Sequence, residues 1–253
     1  MPLAAVPRAL PLAAVRPLAI DSVDPGRSVG WWEAAWWLFA RHPLRWMAMA
    51  AAMMVALGLP GLLPWVGLPL AALLSPVFVA GWMLAVQRAS GGTAPRGADL
   101  LAGFGRTHRR PLLALGTALA ATTLAMEWTS RLFGLGAMLG ATAIDAPADP
   151  QAQAALHAGM LSLLLMLVAS LLVTAALWFA PALVVLRGAS PARAVRASLR
   201  AVLDNGLTFL LFGVVQLLLA ASAASTPYQA GWLVLLPLLL HTGYVSCREV
   251  FEA

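Results

Sequence analysis

The chain has 253 residues, of which 61% are hydrophobic and only 10% are charged. Soluble domains carry about 25% charged residues, so too little polar surface remains here to cover an apolar core of this size. The composition therefore excludes a soluble globular enzyme and a largely disordered chain, and it predicts an all-α integral membrane domain.

The basic residues are all arginine, and sixteen of them against ten acidic residues give a net charge of +6. Arginine without lysine, together with abundant alanine, is typical of a GC-rich bacterial coding sequence. A high positive charge can indicate a nucleic-acid partner. Here the arginines lie between apolar segments, so we expect membrane lipids, above all anionic phospholipids, as partners and no nucleic acid.

Residues 1–28 form the first segment, in which prolines and arginines alternate with short apolar stretches. A signal peptide needs an uninterrupted apolar core after its positive charges. We therefore predict a disordered cytoplasmic tail, and a cleaved signal peptide is the alternative.

Six apolar segments follow, most of them close to the length of about 20 residues that crosses a bilayer as a helix. The fourth is the longest, and at about 1.5 Å per residue it must tilt, kink or protrude from the membrane. The predicted spans are residues 43–59, 65–86, 111–126, 158–186, 206–223 and 230–246.

The connections between these spans differ in charge. The 87–110 and 187–205 connections carry nine arginines against two aspartates, whereas the 127–157 connection carries three acidic residues and one arginine. With six spans and both termini together, fifteen of the sixteen arginines fall on one side. The positive-inside rule makes that side cytoplasmic. We therefore expect a multi-pass protein of the bacterial inner membrane with both termini in the cytoplasm.

Three segments on the arginine-bearing side place apolar residues at helical spacing opposite polar ones, and they are predicted as cytoplasmic interfacial amphipathic helices. In the second of them, Leu100 and Phe104 are expected to oppose Asp99 and Arg106. In the first, Trp36 is expected on the apolar arc. The three segments are residues 30–41, 98–110 and 191–204.

Each amphipathic segment is followed by an outgoing span and a returning span, and each returning span contains a proline that predicts a kink. We therefore predict a threefold internal repeat within the domain 29–253, with three unrelated hairpins shaped alike by the bilayer as the alternative. The repeats are residues 30–88, 97–187 and 190–248, and the prolines are Pro76, Pro181 and Pro237.

Polar or ionisable side chains within or at the ends of apolar spans are the default candidates for functional residues. For His241 and Gln216 we expect hydrogen bonds to neighbouring helices, with a proton relay at His241 as the alternative. Glu127 and Arg131 stand four residues apart, so we expect an ion pair on one helix face. This pair is interpreted as a structural anchor, with a port for a polar headgroup as the alternative.

Motifs for catalysis are missing. The sequence contains no P-loop, no G-x-S-x-G or HExxH pattern, and no paired cysteines or histidines at metal-binding spacing. The single Cys247 excludes a disulfide within the chain. A carboxylate in mid-membrane, as an ion-coupled carrier would use, is also missing. We expect no catalytic residues, no metal, no cofactor and no enzymatic activity; an intramembrane enzyme that uses His241 or Glu127 is the remaining alternative.

Two arginine clusters stand out at the predicted headgroup level, where each arginine near an anionic surface contributes about 1 kcal/mol. Topological anchoring is the simpler interpretation, and specific binding of an anionic lipid headgroup is the sharper hypothesis. The clusters are Arg106, Arg109 and Arg110, and Arg193, Arg196 and Arg200.

Three blocks carry a family resemblance: VGWWEAAWWLFARHPLRW, LLSPVFVAGWMLAVQRASGG and WFAPALVVLRGASPARAVRASLRAVLDNGLTFLLFG. Over residues 28–248 the chain resembles an uncharacterised family of proteobacterial inner-membrane proteins. That family is distantly similar to the membrane domain found beside some glycerophosphodiester phosphodiesterases. The resemblance implies a membrane location but no catalytic residues, and phosphodiesterase activity is not carried over.

The function that these features favour is a non-enzymatic membrane protein that organises or senses lipid, or serves as a scaffold. The alternative is a passive transporter of lipids or small amphiphiles, such as a scramblase.

Overall fold

The computed structural model describes residues 18–132 and 150–252, and these residues form α-helices and short 3-10 helices without any β-strand. The fold is therefore all-α, as predicted. The α-helices are α1 (Arg27–Ala40), α2 (Pro43–Gly58), α3 (Gly67–Ser90), α4 (Arg109–Leu132), α5 (Pro150–Leu177), α6 (Ala180–Arg187), α7 (Pro191–Asp204), α8 (Gly206–Ala224) and α9 (Trp232–Glu252). The 3-10 helices are Leu59–Leu62, Gly97–Phe104 and Pro227–Gln229.

Six stretches of helix are long and apolar enough to cross a bilayer, and α5 and α6 together make the fourth. The prediction of six spans is confirmed, and the chain is compatible with a multi-pass membrane protein. The predicted tail at residues 1–17, and residues 133–149 of the predicted 127–157 connection, lie outside the described residues. The spans are Pro43–Leu62, Gly67–Ser90, Arg109–Leu132, Leu156–Arg187, Gly206–Ala224 and Trp232–Phe251.

The most apolar span is also the least buried. Only 11% of its most apolar stretch, within Leu156–Arg187, is buried inside the protein, against 50% for the much less apolar Trp232–Phe251. Large side chains such as Leu171 and Leu217 stand 61% and 69% exposed on the outer surface. A soluble protein would bury its most apolar helix. The distribution of apolar side chains therefore fits a surface solvated by lipid tails.

Helix α3 lies at the centre of the bundle and packs against α2, α4, α6, α9 and the 3-10 helix Gly97–Phe104. Glycines bring these backbones into contact. A Cβ added at Gly116 of α4 would overlap the carbonyl oxygen of Leu73, and one at Gly81 of α3 would overlap that of Leu100. Such close backbone approach is typical of helices that associate in membranes.

The fourth span is broken at Trp178–Phe179, three residues before Pro181. The Ser198 side chain of α7 fills the break: its hydroxyl donates to the carbonyl of Ala175 at 2.7 Å and accepts from the Phe179 N–H at 3.0 Å. These two backbone groups would bond to each other in a continuous α-helix. The kink predicted at Pro181 is thus present, whereas α3 and α9 continue through Pro76 and Pro237.

Residues 18–26 precede α1 without regular secondary structure and lie against the far end of the chain. The Asp21 N–H donates to the carbonyl of Val250 at 3.0 Å. The buried Asn205 side chain accepts from the Val23 N–H at 2.7 Å and donates to the carbonyl of Asp21 at 3.2 Å. This part of the predicted tail is therefore held by backbone and amide hydrogen bonds.

The predicted amphipathic segments form helices of two kinds. The first and third are the α-helices α1 and α7, but the second is the 3-10 helix Gly97–Phe104, which ends before α4 begins. Its faces also differ from the prediction, because Asp99 is buried while Phe104 is 38% exposed. Burial is possible because Arg88 pairs with the Asp99 carboxylate at 2.6 Å. In α1, Trp36 is 49% exposed despite its place on the predicted apolar arc. The threefold repeat stays a prediction.

Substitution of Gly116 by alanine tests the close packing of α3 and α4. The added Cβ forces the helices apart, so Gly116→Ala should destabilise the protein by about 1–3 kcal/mol, visible in thermal unfolding in detergent. Gly213→Ala is the matched control, because nothing lies within 4 Å of the Cβ position there. That variant should be neutral or gain up to about 1 kcal/mol from helix propensity. Equal stability of the two variants would contradict the packing described.

Substitution of Ser198 by alanine tests how the break in the fourth span is maintained. It leaves the Phe179 N–H and the Ala175 carbonyl without their partner, so we expect a loss of about 1–3 kcal/mol in the same unfolding measurement. Ser222→Ala is the control, since that exposed hydroxyl donates only to the Leu218 carbonyl of its own helix. A Ser198→Ala protein as stable as the control would mean that the helix closes without the serine.

Candidate functional site

The connections that carry most arginines meet at one end of the bundle. Arg27 pairs with Glu249 at 2.7 Å, and Arg187 donates to the carbonyl of Phe251 at 2.7 Å. The hydroxyl of Ser90, the last residue of α3, lies 3.5 Å from that of Tyr244. These contacts join four segments into what we call the arginine end of the bundle. The segments are residues 18–28, 88–110, 187–208 and 244–252.

The six arginines predicted to contact anionic lipid are all exposed, and none forms a salt bridge with a carboxylate among the described residues. Three of them lie on α7, whose opposite face is buried through Ala194, Ser198 and Ala201. The other three do not share one helix, because Arg106 lies in the turn before α4. The α7 residues are Arg193, Arg196 and Arg200; the others are Arg106, Arg109 and Arg110.

A groove that the sequence did not indicate opens between the beginning of α2 and the loop before the 3-10 helix. It has a volume of about 440 Å³ and is lined by Arg45, Ala48, Met49, Pro95, Arg96 and Gly97. The two arginine side chains are exposed, while Met49 is buried and forms part of the groove wall. Arg45 and Arg96 are 51 residues apart in the sequence, so only the folded chain brings them to one groove.

The predicted pair of Glu127 and Arg131 is present at the opposite end of the bundle. Arg131 Nε donates to Glu127 Oε1 at 2.9 Å, and both side chains are about half exposed. The guanidinium also stacks on the ring of Trp65, 4.3 Å from its centroid. Trp65 has a φ of +68° in the left-handed region, which is uncommon outside glycine. The pair therefore ties the end of α4 to the turn before α3, in agreement with the anchor interpretation.

His241 lies in the bundle core and is fully buried. Its ring stands edge to face against Trp46, with 4.5 Å between centroids, and 6.1 Å from Trp82. Neither ring nitrogen has a hydrogen-bond partner among the described residues. The expected bond to a neighbouring helix is therefore not found, and the contacts of the imidazole include the aromatic rings of Trp46 and Trp82.

Gln216 is only partly buried on α8, between the exposed side chains of Val215 and Leu217. Within residues 18–132 and 150–252, no hydrogen bond joins its amide to another helix. The interhelical bond expected for Gln216 is therefore not found either, since this stretch of α8 faces outward.

Substitution of His241 by phenylalanine tests whether the imidazole has a polar role. Phenylalanine keeps an aromatic ring and removes two buried polar nitrogens, so stability should be unchanged or raised by about 1 kcal/mol. His241→Ala should instead lose about 2–4 kcal/mol, because it leaves a cavity beside Trp46. A clear loss of stability in the phenylalanine variant would reveal a polar partner and revive the proton-relay alternative.

Metal-ligating side chains lie scattered in the part of the chain that the structure describes. No group of three or more histidine, cysteine, aspartate or glutamate residues there is arranged to hold a metal ion. The six exposed arginines that form no salt bridge among the described residues carry guanidinium groups, which can bind a phosphate group through two parallel hydrogen bonds.

Comparison with known proteins assigns no relative: no family model, no curated protein and no solved structure matches this chain. The resemblance to an uncharacterised inner-membrane family therefore stays a prediction.

Proposed function

We propose that this chain is a non-enzymatic protein of the bacterial inner membrane that binds anionic phospholipids at its arginine end and organises or senses them. The observation that carries the proposal is the set of six exposed arginines without a described carboxylate partner, at one end of a bundle with apolar sides.

The geometry of α7 supports this function. Its Ala194 and Ala201 are fully buried, which fixes one face of the helix against the bundle. Arg193, Arg196 and Arg200 are exposed, so their guanidinium groups are available to a layer of headgroups. Guanidinium binds phosphate through two parallel hydrogen bonds and is weakly hydrated, which suits this environment.

The charge asymmetry of the bundle supports an orientation. Arginine accumulates at one end, while the described part of the opposite end carries the neutralised pair of Glu127 and Arg131. The positive-inside rule favours the cytoplasm for the arginine end. Both the segment before α1 and the end of α9 would then face the cytoplasm, where the leaflet surface is negatively charged.

Replacement of the α7 arginines tests lipid binding. In the R193Q/R196Q/R200Q protein, we expect fewer phosphatidylglycerol or cardiolipin molecules retained in native mass spectra, because each arginine contributes about 1 kcal/mol near an anionic surface. The matched R193K/R196K/R200K protein keeps the charge but loses the bidentate geometry, so its retention should be intermediate. Unchanged retention in the glutamine variant would contradict binding at this face.

A vesicle assay separates this function from passive lipid transport. The purified protein is reconstituted at low density into vesicles that contain a fluorescent phospholipid, and dithionite reports the fraction of dye accessible from outside. A lipid-organising protein leaves that fraction at about half, since lipid then stays in its own leaflet. Dye loss well beyond half, in vesicles shown to exclude dithionite, would favour the scramblase alternative.

A further inference from the structure

We infer that the groove between Arg45 and Arg96 is a binding site for one anionic phospholipid, whose phosphate lies between the two guanidinium groups. This inference rests on the proposed function and names a site outside the two arginine clusters. The groove is open, has a volume of about 440 Å³, and presents two exposed arginines above the apolar wall formed by Ala48, Met49 and Pro95.

The acidic side chain that bonds to the backbone of Arg96 is already engaged by another arginine. The buried Asp99 carboxylate pairs with Arg88 at 2.6 Å and accepts from the backbone N–H of Arg96 at 3.0 Å. No carboxylate among the described residues forms a salt bridge with Arg45 or with the Arg96 side chain. The groove therefore has an excess of two positive charges that an anion would neutralise.

The position of Arg45 at the beginning of a helix adds to the excess of positive charge in the groove. It lies in the first turn of α2, which contains no acidic residue, and Arg41 lies just before that helix. A helix N-terminus carries partial positive charge, so a cation there is unfavourable unless an anion is close by. A phosphate in the groove would interact favourably with both guanidinium groups and with this end of the helix.

An apolar stripe below Arg45 points to a lipid rather than to a free phosphate. Residues at alternating spacings of three and four lie on one face of α2 and of its continuation at Leu59, and all of them are exposed. The fourteen residue-to-residue steps from the first to the last rise about 21 Å, which exceeds the roughly 15 Å of hydrocarbon in one leaflet. An acyl chain attached to a phosphate at Arg45 can therefore follow this face. The stripe is Arg45, Ala48, Ala52, Val55 and Leu59.

The same charges favour an anionic headgroup over a zwitterionic one. The headgroup of phosphatidylethanolamine carries an ammonium group, which needs a negatively charged hydrogen-bond acceptor. The Asp99 carboxylate could serve as one, but it is already paired with Arg88. The headgroup of phosphatidylglycerol has a phosphate and hydroxyl groups but no ammonium group. We therefore expect the groove to bind phosphatidylglycerol more tightly than phosphatidylethanolamine.

The test is a titration of the detergent-solubilised full chain with each lipid, read by native mass spectrometry as the affinity of the first bound lipid. R45Q/R96Q removes the two groove charges, and we expect the first phosphatidylglycerol to bind about thirtyfold more weakly. Binding of phosphatidylethanolamine should change little. R45K/R96K is the matched control, because it keeps both positive charges in the groove, so its affinity for phosphatidylglycerol should lie between that of the wild type and that of R45Q/R96Q.

A second variant tests the acyl-chain stripe. Ala48→Phe fills the stripe next to the headgroup position, so it should weaken phosphatidylglycerol binding without altering binding of free glycerol phosphate. Thermal unfolding of each variant verifies folding, which we expect to be retained because Arg45, Ala48 and Arg96 are exposed.

The outcomes separate this site from the proposed function. If R45Q/R96Q binds phosphatidylglycerol as tightly as the wild type, the groove site is overturned, and the proposed function stands as long as the α7 glutamine variant retains less lipid. If all the glutamine variants retain phosphatidylglycerol as the wild type does, both fail. If glycerol phosphate binds as tightly as the lipid and Ala48→Phe has no effect, the lipid assignment is overturned in favour of a free phosphate.

Discussion

The structure depends on one constraint, which is that large apolar side chains cover the outer sides of the bundle as well as fill its interior. In a solvent of lipid tails, burying a leucine gains little, so the hydrophobic effect does not hold these helices together. Close backbone contact at Gly81 and Gly116 takes its place, and so do edge-to-face aromatic contacts such as that of Trp46 with His241. Burial of the less apolar α9 and exposure of the most apolar helix, α5, follow from the same constraint.

The constraint also determines where backbone hydrogen bonds can be broken. In a bilayer, each freed backbone group needs a partner within the protein. The break at Phe179 is tolerated because Ser198 supplies both a donor and an acceptor to the separated backbone groups. Asn205 does the same for the irregular segment around Val23. The buried hydroxyl of Ser198 and the buried amide of Asn205 thus bond to backbone groups that no helix satisfies, at Phe179 and in the segment around Val23.

The sequence predicts the features that depend on composition along the chain. Six spans follow from length and hydropathy, the kink follows from a fourth span that is too long and contains Pro181, and the Glu127–Arg131 pair follows from helical spacing. Features that depend on contacts between distant segments were not predictable. Asp99 was assigned to the polar face because its pairing with Arg88 cannot be read from local spacing. The groove at Arg45 was missed for the same reason, since Arg96 reaches it only through the fold.

Helix α7 carries both the exposed arginines and the serine that bridges the break in the fourth span, and these side chains lie on different faces of the helix. One face holds Arg193, Arg196 and Arg200 exposed, where guanidinium groups can bind phosphate. The other inserts Ser198 into the break between α5 and α6. A rigid helix cannot move one face without the other, so a ligand that held the arginines in place would also hold the serine in the break. The position of α7 relative to the membrane surface therefore bears directly on the conformation of the fourth span, and this physical connection is what a lipid-sensing function would require.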